Sequence, residues 1–392
     1  MMNKLHIIEG QIRHYAWGGD HFIPALLGQK TLANQPWAEW WLGAHPDSPS
    51  TIMDEGMALS DFLIRHPQLR SAEECRADPT LSFLLKVLDV NQMLAIQVHP
   101  SKEQALAGFQ REEASGPDRQ AFERTYRDAN DKPEMMVALT PCWLAHGFAP
   151  PERIAARLAQ YSAAAPFRSG NISDTFKALL TADVTPLLQE IRYALEDDYH
   201  RGELAQTEPE YWICRALFGH QVGYDRGLAI LLMLNIVFVP PGFGIYQAAG
   251  VPHAYLAGQN IELMANSDNV ARIGPTKLHV ALPEVLRLTG CSPVCPQLIA
   301  PAAIAPAVEK YQHGGSPAFA LYRLQPGEAH WQHPHFCIAV VLTGELQAIV
   351  ASRPQTFFAG QSFIIPAGLA VTFSSTSSLA FIASSGEPYA ND

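Results

Sequence analysis

Residues 94–100, Leu-Ala-Ile-Gln-Val-His-Pro, set an amide and an imidazole two positions apart in an otherwise aliphatic stretch. Side chains alternate across a strand with a period of two. The spacing predicts a strand that turns Leu94, Ile96 and Val98 into packed interior and Ala95, Gln97 and His99 to the other face. That second face is half of a metal site. Two further segments offer the other half. In Asp131-Lys132-Pro133-Glu134 the proline fixes φ, which predicts Glu134 at a rigid strand start. In Pro252-His253-Ala254-Tyr255, a strand would put His253 on one face with Val251 and Tyr255. Two imidazoles and a carboxylate are a common set for a catalytic divalent metal. Gln97 would add an amide oxygen, which is unusual for zinc and tolerates Mn²⁺ or Co²⁺ as well. Only Gln97 and His99 are local to each other. Spacing alone leaves each histidine open to a core role and Glu134 open to a solvated strand edge.

The elements that must position these groups are legible in outline. A strand over 83–90 pairs beside the 94–100 strand, and Ser101 is a good N-cap for a surface helix over 101–128. A second surface helix is expected over 58–75. The aromatic segments around Trp17 and Trp37–Trp41 read as short strands whose tryptophans pack in the core, with His45 structural. From Pro151 the apolar spacing changes to three and four, which predicts an all-helical insertion. Strand character returns at Leu234 and continues through 250–256 and 261–274. The Pro- and Ala-rich segment 291–315 reads as a connector, and the last 80 or so residues as short strands of a small antiparallel barrel or sandwich.

The fold class expected is therefore mainly β with an all-α insertion. Its parts are 1–150, the first part of a catalytic domain; 151–233, helical; 234–288, the second catalytic part; and 289–392, a C-terminal β domain. A formal net charge of −11 argues against nonspecific nucleic-acid binding. The N-terminal stretch meets charge at once, with no apolar leader, and the most apolar run, 228–240, is too short to span a bilayer. The six cysteines are scattered, including the pair Cys291 and Cys295, and read as reduced thiols of a cytoplasmic protein. His333-Pro334-His335 with Cys337 suggests a second metal, but no acidic residue is spaced to join them and a structural histidine is the plainer account.

Gln97-Val98-His99-Pro100, Lys132-Pro133-Glu134-Met135, Pro252-His253-Ala254-Tyr255 and Ser267-Asp268-Asn269-Val270-x-Arg272-x-Gly274 together resemble the signatures of the type I mannose-6-phosphate isomerases. The resemblance extends to Tyr15-Ala16-Trp17-Gly18 and Trp41-Leu42-Gly43-Ala44-His45-Pro46, and runs through most of residues 1–280. It implies cupin-type (jelly-roll) β-barrels, two of them plus a helical domain. It implies one Zn²⁺ per chain held by Gln97, His99, Glu134 and His253, and interconversion of mannose 6-phosphate and fructose 6-phosphate. It implicates Arg272 in catalysis and places Lys132, Tyr255, Glu262 and Asp268 in the active-site lining. The chain departs from the family pattern after Gly274, where Pro275-Thr276-Lys277 is one residue shorter than usual. It also lacks the usual acidic residue after Pro241-Gly242.

Aldose–ketose isomerisation moves a proton between C2 and C1 through an enediol, and charge developing on oxygen must be stabilised. Arg272 stays protonated and suits the anionic intermediate or the phosphate. Asp268 is the base or orients Arg272, and Lys132 is placed to bind phosphate or shuttle a proton. Lys102 and Lys277 are candidate phosphate contacts, and Lys102 reads equally as a solvated lysine. The expected partner is a small sugar phosphate bound by a monomer, with neither nucleic acid nor membrane involved. The competing readings are a related sugar-phosphate isomerase or epimerase and a cupin-type sugar-binding or regulatory protein without turnover.

Overall fold

The computed structural model describes residues 4–30, 35–78, 80–219, 222–313 and 319–386. Residues 1–3 of the stretch read for a leader, and 314–315 of the expected connector, lie outside them. Seven strands build the site: β1 (Glu39–Gly43), β2 (Phe83–Val90), β3 (Ile96–Val98), β4 (Glu134–Ala138), β5 (Cys142–Phe148), β6 (His253–Ala265) and β7 (Ala271–Gly274). All belong to one ten-stranded antiparallel sheet, and β6 is its hub. Its first residues pair with β5 and β3, and its later ones with β2 and β4. The segments expected as separate strands around 250–256 and 261–265 are thus one strand of 13 residues. A bulge between Tyr255 and Ala257 lets this strand change partners. Gly258 follows at φ +110°, where a Cβ would lie 2.6 Å from the Pro141 carbonyl oxygen. Only glycine fits that conformation and that space.

Period-two alternation divides these strands between two cores. Ile96, Val98, Ala254, Leu256, Ala271 and Ile273 pack against the helices that follow residue 150. Trp40, Leu42, Leu85, Val87, Ile261 and Leu263 pack instead with Phe336, Ile338 and Val340 of the C-terminal strands. Full burial of such side chains stabilises by roughly 1.5–3 kcal/mol each. The intervening residues of both sets face each other across a cavity.

Among the described residues five α-helices lie between 151 and 233, the longest being Thr185–Arg201. The other predicted helices are shorter than expected. The 101–128 helix ends at Ser115, because Gly116 and Pro117 stop it. Its start is as read, with Ser101 and Gln104 forming a reciprocal capping box. The 58–75 region splits into Leu59–Arg65, a 3₁₀ turn at Pro67–Leu69 and Ala72–Ala77. The C-terminal strands fall into a four-stranded sheet and a nine-stranded one. Two of them, Pro301–Ala305 and Val308–Tyr311, arise within the expected connector. The nine-stranded sheet also takes in the N-terminal strand His6–Glu9, which pairs with Ser362–Ile364. The nine- and four-stranded sheets run from one edge strand to another, the ten-stranded sheet branches at β6, and none closes into a ring. Among the described residues no helix is long and apolar enough to cross a membrane.

Candidate active site

Three neighbouring strands put chemistry in a row. Gln97 on β3 stands opposite His253 of β6 on one side and opposite Arg272 of β7 on the other. Directly opposed residues project from the same face of a sheet, so an imidazole, an amide and a guanidinium line up across three strands. Glu134, the first residue of β4, comes in beside them. Its Oε2 lies 3.2 Å from His253 Nε2 and its Oε1 3.3 Å from His99 Nε2. It is 1% exposed rather than a solvated edge residue. Leu94 differs from expectation too. The strand begins only at Ile96, and Leu94 joins Ala95 and Gln97 in the cavity wall.

The donor set fits a divalent metal. His99 donates from Nδ1 to the Asn269 carbonyl, and His253 from Nδ1 to the Val251 carbonyl, both at 2.9 Å. Each bond leaves Nε2 as the free lone-pair nitrogen facing Glu134, as happens where a carbonyl on the other ring nitrogen orients a metal-binding imidazole. His99 Nε2 is buried with no hydrogen-bond partner. Burial also holds the His99 pKa below its usual value, keeping the ring neutral. His99, Glu134 and His253 bring one ligand atom each within 4.8 Å of one another. Among the described residues the one other such group is His45, Asp47 and Asp268.

Glu134, His45 and Asp268 of these groups open on a cavity of about 350 Å³. Of the residues singled out from sequence, Gln97, Lys132, Glu134, Tyr255, Glu262, Asp268 and Arg272 line it. Lys132 Nζ lies 3.2 Å from Glu134 Oε1. Lys102 and Lys277 are exposed and outside the lining, and Lys102 Nζ donates to Asn130 Oδ1 at 2.7 Å. Burial and then the neighbouring Arg127 both oppose charge on Arg272, lowering its pKa. An anion brought there would relieve both penalties. The C-terminal His335 sits 3.1 Å from Ser71 Oγ and 3.8 Å from Glu74, which accepts the Phe336 N–H. It ties that part of the chain to a helix cap.

On the far wall the family resemblance implied Tyr255 and Glu262, whereas Lys86 and Glu39 were not read from sequence. Lys86 of β2 donates to Glu262 Oε2 at 2.9 Å, and its Nζ lies 3.8 Å from Glu39 and 5.0 Å from the Trp41 ring centre. Burial works against its charge, but Glu262, Glu39 and Glu134 outweigh it and raise the pKa. Tyr255 donates to Glu262 Oε1 at 2.8 Å, and burial followed by Glu262 holds its pKa well above normal. Trp17, Trp41 and His45 also line the cavity, where core or structural roles were expected. The signal for Lys86 was present: it is a lysine in the middle of Phe-Leu-Leu-Lys-Val-Leu, a run otherwise fit for full burial.

Residues 5–151 match the family model for the catalytic domain of phosphomannose isomerase type I. The chain is 34% identical over 290 residues to mannose-6-phosphate isomerase of Escherichia coli, covering 70% of this chain and 72% of that protein. The enzyme of Salmonella typhimurium is 35% identical with the same coverage. The chain belongs to the type I mannose-6-phosphate isomerase family. Its whole fold agrees with this. A zinc-bound crystal structure of mannose 6-phosphate isomerase superposes with a TM-score of 0.86 at 30% identity, covering 97% of this chain and 99% of that one. The matched family model ends where the helices begin, so β6 and β7 of the site lie beyond it.

Proposed function

We propose that this chain interconverts D-mannose 6-phosphate and D-fructose 6-phosphate in the cavity between its two cores, with one divalent metal, zinc, at Gln97, His99, Glu134 and His253. The observation that carries the reading is the pair of imidazoles whose Nδ1 atoms are committed to backbone carbonyls while their Nε2 atoms converge on the buried Glu134. A cation held there supplies Lewis-acid polarisation of the carbonyl and hydroxyl oxygens of the open-chain sugar.

The chain's own groups do the rest. In the forward direction one proton leaves C2 for C1 and one leaves O2 for O1, so nothing is consumed. Asp268 and Lys132 line the cavity, and they serve as the carboxylate acceptor and the ammonium donor of the proton transfers. Arg272 meets the negative charge of the enediolate or the phosphate with a fork of donors. Tyr255, whose O–H is given to Glu262, and the Glu262 carboxylate accept from the sugar hydroxyls, and Lys102 and Lys277 are the outer candidates for phosphate contact. Trp17, Trp41 and Leu84 give the cavity apolar wall surface that holds no water by hydrogen bonds of its own around the intermediate.

We read the halves of the fold as cupin-type, supported by antiparallel sheets packed face to face. The parts are 1–150 with 234–288 as the catalytic unit, 151–233 as an inserted helical unit, and 289–392 as the C-terminal unit. Six unpaired cysteines support a reducing compartment, the cytoplasm. We take the working form as a monomer, since one chain supplies the whole ligand set. A coupled assay on zinc-loaded protein tests the function. Chelator-sensitive turnover of mannose 6-phosphate is expected, and no turnover by protein shown to carry metal would overturn it.

A further inference from the structure

The cavity wall away from the metal ligands carries a second polar cluster. His45, just after β1, is 3% exposed, and its Nε2 lies 3.3 Å from Asp268 Oδ1. Its Nδ1 accepts the backbone N–H of Asp47 at 3.2 Å. With Nδ1 an acceptor, the proton of the neutral ring sits on Nε2 and is donated to Asp268. The ring is also fixed edge-on against Trp41, with centroids 5.0 Å apart. Asp268 is held at its backbone by a separate bond, its N–H donating to Asp128 Oδ2 at 3.0 Å. The side chain thus has one oxygen engaged and lines the cavity with the rest.

We propose that His45 is a positioning residue for the isomerisation: its Nε2–H engages Oδ1 of Asp268 and leaves Oδ2 for a hydroxyl of the sugar. The assignment rests on the reading that the substrate occupies this cavity. His45 acts on a carboxylate whose other charged neighbours are Lys132, Arg127, Arg272 and, through the backbone N–H of Asp268, Asp128. The Asp47 carboxylate also comes within 4.8 Å of the pair. Burial opposes ionisation of Asp268, and the bond from His45 is the largest of the several contributions, with the charges of His45, Lys132 and Arg127, that together outweigh it. Removing that donor therefore frees the carboxylate to rotate and to take a proton at higher pH.

The test uses the zinc-loaded full chain with His45→Phe, His45→Asn, His45→Gln and Asp268→Asn. Phenylalanine keeps the ring against Trp41 without a donor. Asparagine keeps an acceptor for Asp47 and falls short of Asp268, so it serves if the phenylalanine variant does not fold. Glutamine reaches Asp268 with an N–H. The donor-less variants should lose on the order of 10- to 100-fold in kcat with little change in KM. Their acid limb of kcat/KM should move to higher pH, and their zinc content should equal that of the parent. The glutamine variant should recover most of kcat and return the acid limb toward the parent position. A donor-less variant with parental kcat and acid limb overturns the role of His45, as does a glutamine variant no better than asparagine. If Asp268→Asn itself keeps parental kcat, the reading of the cavity fails first; if it is impaired while the donor-less variants are not, only the role of His45 fails.

Discussion

Lys86 Nζ donates to Glu262 Oε2 at 2.9 Å in a place where neither side chain is more than 7% exposed. A charge removed from water must be paired, and this lysine is shared by Glu262 and Glu39. Lys86→Met should leave two carboxylates without their cation. Breaking a buried pair from one side costs about 3–5 kcal/mol. Urea unfolding at neutral pH should show a loss of that size, and Lys86→Met with Glu262→Gln should regain part of it. A single variant as stable as the parent would remove the ion pair from the list of what holds this wall in place.

Metal should stabilise the fold as well as the reaction. A ligand that binds only the native state adds RT ln(1 + [L]/Kd), about 2.7 kcal/mol at a hundred times Kd. Chelated protein should unfold at a lower temperature than zinc-loaded protein, and Glu134→Gln should lose most of that zinc-dependent difference. A thermal shift with zinc equal in parent and variant would place the cation elsewhere.

The sequence made the metal side of the site readable and hid the side-chain pairs of the far side, for a physical reason. Gln97 with His99, and Pro133 before Glu134, are local patterns whose geometry follows from strand alternation and from proline. The bond from Lys86 to Glu262 joins residues 176 positions apart, and that from His45 to Asp268 residues 223 apart. No local period announces such pairs. The same holds for the fold. The helices after Pro151 were visible from their spacing, whereas the pairing of His6–Glu9 with Ser362–Ile364 depends on register between distant strands. The two short segments read apart at 250–256 and 261–274 merge as far as Ala265 because Gly258 bends the chain without ending the ladder.

Asp268 should make stability depend on acid. Burial raises its pKa, and the bond from His45 together with the neighbouring charges of His45, Lys132 and Arg127 lowers it more, leaving it at about 2 against an ordinary value of 3.8. A depressed folded-state pKa adds stability that is complete above the unfolded value and is lost as pH falls through the folded one. Asp268→Asn should therefore be less stable than the parent at pH 6, and the gap should narrow between about pH 4 and pH 2. Denaturant midpoints of the two proteins across that range measure it. A gap constant over the whole range would mean that the ionised form is not favoured by the fold.

Arg272 is placed for charge rather than for metal binding, since Gln97 lies between it and His253 in the row. Arg272→Ala should lower kcat on the order of 10²-fold, as loss of a donor to developing oxyanion charge does. Zinc per chain, measured by elemental analysis, should stay at the parental level. Loss of metal together with activity would instead make Arg272 part of the support of Gln97.

Gly227 governs the loop that follows Arg272. The Asp225 side chain accepts its N–H at 2.7 Å, drawing the start of the short helix Arg226–Ile230 against Gly274. A Cβ at position 227 would stand 2.0 Å from the Gly274 carbonyl carbon and 2.3 Å from the Pro275 nitrogen. Both are backbone atoms, so the loop must move, and Pro275 and Thr276 of that loop line the cavity. Gly227→Ala should destabilise by about 1–3 kcal/mol, the usual cost of overpacking. It should also raise KM for mannose 6-phosphate more than it lowers kcat, with zinc content unchanged. Gly223→Ala is the matched control, because nothing lies within 4 Å of a Cβ there. If the two variants behave alike in stability and KM, the contact with Gly274 does not shape the cavity.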